Sequence, residues 1–498
     1  MLLVSAIALF LIALFLRIVP QLLISDADLS DQWFWKLFTD TLRKTKKIPP
    51  DIPQYLFDVH QWYPPVYPLL YAFLPGVSSP KTAPFYTIFL DLLNLILCII
   101  VLSFVTHGSV PAFFWGGLIY ATTPILISYN TQLNSRSFGA FLLNLLFVLY
   151  LWVIFYHGSV YLFVPIVFIS GIILLTHKMT TQLMWFIFIG LFFITGNAVN
   201  LCLIPLSILS AIVLSKGFYI KVAIAHWDIV TFWNRNWRWL MAHPIKESPI
   251  YGEKGYQTPE KFHGSGFRYL IKNCGYLFGY APSSYLAVLL CVYLYVNNKL
   301  LLSFPRPVGF LLIVLVLSIV FVLATLWIPF LKCLGSGMLY LYNTAFPSAL
   351  IFGLLAMNGL LKRPPEILFL SVAIVINLFF IALFYRKLFG HKKKDEFIMK
   401  ALDYVKHGPL GAVWCLPYGM SDMTAYITGK KVLTGGHGYG LKTFEPFFPR
   451  LKVPVKKVIQ ENNVKYMLTT ENYLPENFKQ DLPTNQITQF GQYLVYQF

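Results

Sequence analysis

Charge is scarce in this sequence. Only 12% of its 498 residues are Asp, Glu, Lys or Arg, about half the share of a soluble globular chain. That excludes an ordinary water-soluble core for most of the chain. Acids are the scarcer sign, 21 against 39 basic residues, for a formal net charge of +18. The basic residues sit in loops between hydrophobic runs. The surplus therefore points to anionic head groups or a phosphate-bearing lipid, and not to nucleic acid. Cysteine is scarce as well. The six cysteines form no CxxC pair and no metal-ligand spacing, so they read as packing residues without a disulfide framework. P-loop, HExxH and GxSxG patterns are all absent. The run GGHGYG (Gly435–Gly440) has Leu441 where GxGxxG needs a glycine, and it reads as a turn.

What is abundant is apolar sequence: 57% of the residues are hydrophobic and the mean hydropathy is +0.64. It comes in runs of about 17 to 25 residues, the length that crosses a hydrocarbon core. Spanning helices are expected near 2–24, 85–106, 109–128, 137–156, 159–176, 179–196, 198–214, 279–296, 308–330, 335–361 and 365–386. The opening run Met1–Ile18 lacks the basic start and small-x-small cleavage site of a signal peptide, so it reads as a retained first helix. Pro64–Val77 is proline-rich, with Pro64, Pro65, Pro68 and Pro75. It is too short for a span and reads as interfacial or re-entrant.

Eleven spans and a cytoplasmic N-terminus put loops 25–84 and 215–278, and everything after Arg386, on the external side. The short cytoplasmic loops Asn297–Pro307 and Lys362–Pro365 are then basic, as the positive-inside tendency asks. In the second external loop, His226–Trp239 alternates aromatics with Arg235 and Arg238, like a helix lying among head groups. Past residue 390 no run is long enough to span. Strands are expected in GAVWCLPYGM, KYMLTT and QYLVYQF, and a helix in VKKVIQENNV. The expected fold is an α-helical polytopic membrane protein of about 11 transmembrane helices (1–390). A small soluble α/β domain (391–498) follows it.

Few residues can carry chemistry. Asp26, Asp28 and Asp31 follow directly on the first helix, at the membrane surface. A carboxylate there can serve as a general base on an acceptor hydroxyl. Asp26 and Asp28, as a DxD pair, can also hold a divalent cation on phosphate oxygens; that metal role is the weaker expectation. Arg136, His177 and Lys178 lie between later spans on the same external side, where Arg and Lys suit a lipid phosphate. Asp91, within a span, must face the bundle interior; it reads as a helix–helix contact together with Asn94, or as catalytic. Arg43, Lys44, Lys46 and Lys47 read as solvated charges rather than contacts to lipid head groups or a phosphate, and Trp62, Tyr63 and Tyr67 as interface anchors rather than sugar-stacking platforms.

The arrangement resembles the GT-C superfamily of membrane glycosyltransferases. The matching features are Asp31-Gln32 followed by TLRKTKKIP, the run Tyr63–Leu70, Asp91 in its span, Ser135-Arg136, and LGSGMLYLYNTAFPSAL. The resemblance covers roughly residues 1–360. It implies transfer of a sugar from a polyprenyl-phosphate carrier to a glycan, lipid or protein hydroxyl. A first-loop aspartate would be the base, with Asp31 the best match and Asp28 and Asp26 its rivals. Arg136 and Lys178, with His177, would hold the donor phosphate. Two departures bear on metal dependence. Trp35 stands where many members carry His, and no carboxylate follows Arg136 closely. Both point to a metal-independent transferase of single sugars that requires no cofactor. The plasma membrane of a prokaryote is the expected location. The rival readings are a transporter or flippase of lipid-linked or anionic solutes, and a non-catalytic scaffold.

Overall fold

Inside a bilayer the backbone has no water to bond, so long apolar runs must fold as helices. The computed structural model describes residues 2–57, 59–74, 82–155, 159–236, 251–252, 266–297, 306–335, 337–357, 364–389, 393–435, 441–484 and 486–498. The run 436–440 lies outside the described residues, as do Arg238, Trp239, Lys299, Lys362, Arg363 and 75–77. The membrane part contains α1 (Leu2–Leu23), α2 (Ser30–Thr45), α3 (Val66–Phe73), α4 (Ala83–Val105), α5 (Val110–Thr122), α6 (Pro124–Tyr129) and α7 (Arg136–Phe155). It continues with α8 (Phe163–Leu174), α9 (Lys178–Thr195), α10 (Val199–Leu214), α11 (Phe218–Arg235), α12 (Gly266–Tyr280) and α13 (Pro282–Val296). The last three helices are α14 (Arg306–Trp327), α15 (Ala345–Met357) and α16 (Pro364–Leu388).

This is an integral membrane protein. Among the described residues, seven helical stretches are long and apolar enough to cross a bilayer: α1, α4, α7, α9, α14, Gly337–Met357 and α16. The pair α12–α13 meets at a 93° bend, and α5, α8 and α10 are shorter apolar helices. All eleven expected stretches thus contain helix, although not each is a full-length span. The stretch Gly337–Met357 is 83% buried, whereas α1 and α16 are 22% buried. The first is therefore the centre of the bundle, and the other two lie at its rim. Gly116 lets α5 approach α15: a Cβ there would stand 2.8 Å from the Ala349 carbonyl oxygen. Small residues at such crossings let helix backbones pack closely where lipid supplies no hydrophobic drive.

Polar side chains inside the bundle pair with one another. Arg17 of α1 donates through Nε to Asp91 of α4, and through Nη1 to the Ala121 carbonyl at 3.0 Å. Tyr120 OH donates to Asp91 at 2.7 Å, and Tyr342 OH lies 3.1 Å from both Asp91 Oδ1 and Asn130 Oδ1. Asn94 bonds separately, accepting from Asn144 at 2.7 Å and donating to the Ser137 carbonyl at 3.2 Å. Asp91 and Asn94 are therefore helix–helix ties.

The expected α/β domain is present. Strands β1 (Ala412–Leu416), β2 (Val464–Thr470), β3 (Ile487–Phe490) and β4 (Tyr493–Gln497) form one sheet in the order β1-β2-β4-β3. The first pair is parallel and the other two are antiparallel. Helices α17 (Lys393–His407), α18 (Ser421–Thr428) and α19 (Val455–Glu461) accompany it. The domain does not stand apart from the membrane part, because its core is continuous with the first loop and α11. Leu56 and Phe57 donate backbone bonds to Val432 and Leu433 at 3.0 and 3.1 Å, and Tyr55 OH donates to Asp422 at 2.6 Å.

That shared core overturns one expectation. Tyr63 and Tyr67 are buried and meet Trp35 edge-on at 4.8 and 5.1 Å. They are core residues joining α2 to α3, not interface anchors. Helix α3, at eight residues, is about 12 Å long and cannot cross.

Removing one partner of a buried ion pair leaves an uncompensated charge, a loss of about 3–5 kcal/mol. Arg17→Met alone should therefore lower the thermal unfolding temperature of the protein in detergent. Arg17→Met combined with Asp91→Leu should recover part of the loss. A double variant no more stable than the single one would contradict this account.

Candidate functional site

The end of α1 is fixed against the chain that precedes α7. Gln21 Nε2 donates to the Asn130 carbonyl at 3.0 Å. A 3-10 turn, Asp26–Asp28, follows α1, and α2 begins at Ser30. The three candidate acids then separate. Asp26 and Asp28 are exposed on the turn, whereas Asp31 is only 5% exposed in the first turn of α2, where the helix dipole favours a carboxylate. The Asp31 amide donates to Gln132 Oε1 at 3.2 Å.

Opposite Asp31 stands Arg136, the first residue of α7. Asn134 shapes the turn before it, donating through Nδ2 to the carbonyls of Tyr129 and Gln132 at 2.8 and 2.9 Å, while its Oδ1 accepts the Arg136 amide at 3.0 Å. Arg136 Nη1 lies 3.4 Å from Asp31 Oδ2, and the guanidinium sits 5.2 Å from the centroid of the Tyr129 ring. Its Nε is buried without a hydrogen-bond partner among the described residues. The Tyr63 hydroxyl bonds Ser135 beside the same guanidinium; burial pushes its pKa up, and these two neighbours oppose that.

Helix α9 brings the other expected residues to the same place. His177 caps it and Lys178 opens it. Glycine makes the approach possible: a Cβ on Gly139 of α7 would stand 2.6 Å from Thr180 Oγ1 and 3.1 Å from His177 Cβ. The positive ends of α7 and α9 therefore lie close together, with Arg136 and Lys178 at them. Burial, then Arg136, Lys178 and His226, hold the His177 pKa well below its usual value. Its Nδ1 lies 2.9 Å from Thr180 Oγ1. His226 of α11 was not among the expected site residues. Burial and the charge of Lys178 push its pKa down to about 3. In the sequence, its only signal is a histidine inside an aromatic run.

The result is a partly buried cluster of one carboxylate, one guanidinium, one ammonium and two imidazoles whose pKa values are held low. Positive charge and donors exceed what Asp31 satisfies, so the cluster suits an anion of phosphate type. Among the described residues no three His, Cys, Asp or Glu side chains stand together as a metal site. The basic run behaves as solvated charge: Lys44, Lys46 and Lys47 are exposed, and Arg43 donates to the Ala72 carbonyl at 2.8 Å. In α11, Arg235 pairs with Glu445 at 2.8 Å, whereas Ile220, Ile224 and Trp227 are exposed, as on a helix lying at a membrane surface.

No family model matches the chain, and no curated protein matches it by sequence. Solved structures do match it. ArnT from Cupriavidus metallidurans bound to undecaprenyl phosphate is similar at TM-score 0.54 and 11% identity, over 99% of this chain and 96% of that one. The Archaeoglobus fulgidus oligosaccharyltransferase tethered with an acceptor peptide gives TM-score 0.56 and 12% identity, over 94% and 69%. AglB from the same organism, in complex with an inhibitory peptide and a dolichol-phosphate, gives 0.54 and 11% over the same shares. The chain shares the fold of these proteins. At these identities the likeness extends to the fold and not to any residue's role.

The two imidazoles give the helical bundle a pH dependence whose sign follows from their lowered pKa values. An unfolded histidine binds a proton near pH ~6.5, whereas His226 in the folded chain resists it until about 3. The stability that neutral His226 contributes is full above the unfolded value and declines as pH falls towards the folded one. Melting in lipid nanodiscs should therefore occur at lower temperature in mildly acidic buffer than at neutral pH. His226→Gln should narrow that difference, and an unchanged difference would refute the assignment.

Proposed function

We propose that this protein is a membrane glycosyltransferase that moves a sugar from a polyprenyl-phosphate carrier to an acceptor hydroxyl on the external face. One observation carries the reading. A nearly buried carboxylate on the first-loop helix stands 3.4 Å from Arg136, with Lys178 close enough to perturb the same neighbours. This juxtaposition supports Asp31 as base and Arg136 and Lys178 as anion-binding cations of one site.

The chemistry follows from charge. In the donor, a phosphodiester with one negative charge links sugar and polyprenol. As the bond from the anomeric carbon to phosphate oxygen breaks, the leaving polyprenyl phosphate gains a second negative charge. Arg136 and Lys178, with the first amides of α7 and α9, stabilise that charge where it develops. The incoming phosphate also competes with Asp31 for Arg136. Asp31 is then free to take the proton from the acceptor hydroxyl as its oxygen attacks the anomeric carbon. Direct displacement inverts the anomeric configuration. The reaction as written needs no metal ion or other cofactor, and neutral His177 adds a hydrogen-bonding group without further charge. The polyprenyl phosphates bound to ArnT and AglB support a donor of this class. A plasma membrane with such carriers in its outer leaflet is the matching location.

Asp31→Asn should reduce transfer of radiolabelled sugar from polyprenyl-phosphate sugar to a glycan fraction by about 10²–10⁴-fold. Asp26→Asn and Asp28→Asn should each leave most of the activity. Arg136→Ala should weaken binding of undecaprenyl phosphate to the purified protein, whereas Asp31→Asn should not. Full activity in Asp31→Asn would remove the proposed base.

A further inference from the structure

The contacts of Arg136 leave one edge of its guanidinium unused. Nη1 lies 3.4 Å from Asp31 Oδ2, longer than the about 2.7–2.9 Å of a strong charge-assisted bond. Nε is buried with no hydrogen-bond partner among the described residues. A buried N–H without a partner is costly, and a long contact to one carboxylate is a weak restraint on a flexible side chain. A further contact is needed to hold the guanidinium plane in this orientation.

Tyr129 supplies it. The guanidinium carbon of Arg136 lies over the Tyr129 ring, 5.2 Å from its centroid, within the about 6 Å at which an aromatic face attracts a cation. The ring is itself held from several directions. Tyr129 ends α6, and its carbonyl accepts from Asn134 Nδ2 at 2.8 Å. The same Asn134 accepts the Arg136 amide through Oδ1 at 3.0 Å, so one side chain ties the backbone of the ring to the backbone of the cation. The next residue, Asn130, is fixed by Gln21 and by the Tyr342 hydroxyl. At the tip of the ring, Tyr280 hydrogen-bonds the Tyr129 hydroxyl, with the two ring centroids 5.9 Å apart. Tyr280 ends α12 at its 93° bend into α13, and the brace therefore comes from a separate element of the bundle.

A guanidinium that rests on a ring by one face keeps its in-plane N–H groups for other partners. Nη1 is turned to Asp31. Nε belongs to the other edge, shared with Nη2, whose two parallel N–H bonds match two oxygens of a phosphate. We propose that Tyr129 is a positioning residue: it holds the plane of Arg136 so that the Nε–Nη2 edge is presented to the phosphate of the polyprenyl carrier. The carrier rests on the transferase reading above, whereas the stacking of Arg136 on Tyr129 does not.

The test uses the full chain in phosphatidylcholine nanodiscs, labelled with ¹⁵N-arginine, with two readouts. The first is the Arg136 Nε–Hε resonance, identified by its loss in Arg136→Ala. A proton over a ring face is shielded, so Hε should lie upfield of the exposed arginines in the wild type. It should move downfield in Tyr129→Leu and stay near its wild-type position in Tyr129→Phe. The second is binding of undecaprenyl phosphate. Tyr129→Leu should weaken it about three- to tenfold, and Tyr129→Phe should restore most of the loss. In an Arg136→Ala background, where Lys178 carries the residual binding, Tyr129→Leu should change nothing further. A merely structural role would lower affinity by the same factor in both backgrounds.

An unshifted Hε in the wild type overturns the stacking, whether or not Tyr129→Leu folds. Equal losses of affinity with and without Arg136 overturn the positioning role. A ring-shifted Arg136 in a chain that does not bind undecaprenyl phosphate would sink the transferase reading and leave the stacking standing. Lipid binding with an unshifted Hε would do the reverse.

Discussion

The ion pair between Arg17 and Asp91 is fully buried in the helical bundle, and the position of the candidate site depends on it. A lone charge at that depth costs several kcal/mol, so neither residue is tolerable without the other. Paired, and bonded further to Tyr120 and to the Ala121 carbonyl, they fix α1 against α4 and α5. Tyr342 extends the same network to Asn130, where the chain turns towards Arg136. One polar knot thus sets both the helix that leads to Asp31 and the segment that presents Arg136.

A second constraint comes from outside the bundle. Helix α2 carries Asp31, and its far side is covered by the C-terminal domain. Trp33 meets Tyr426 at 5.4 Å, and the Lys36 ammonium lies 4.9 Å from the same ring. The segment around Tyr55 bonds to Val432 as an added strand would. The small α/β domain therefore holds the first loop in place from above, while the bundle holds α1 from below. This gives the terminal domain a physical role in shaping the pocket.

Much of this organisation is written locally. Runs of apolar residues long enough to span require helix, whatever surrounds them, so all eleven stretches could be located. The C-terminal strands β1, β2 and β4 were legible from their β-branched and aromatic runs. The exposed strand Ile487–Phe490 was not, because its polar sequence has no such pattern. Helix α2 was also missed. It follows Asp26 and Asp28, opens with Asp31, and mixes tryptophans with lysines, which resembles an interfacial loop until the docked domain supplies its second wall.

The sequence by itself determined that the chain is a membrane protein and that Arg136, His177 and Lys178 open or precede apolar helices. These follow from hydropathy. Only the tertiary structure decided which of three neighbouring aspartates meets Arg136, that His226 joins the cluster, and that Asp91 serves Arg17. Such choices depend on helix rotation and on close approach at Gly139. Both arise from packing between segments about 40 to 105 residues apart, distances at which local sequence pattern carries no information.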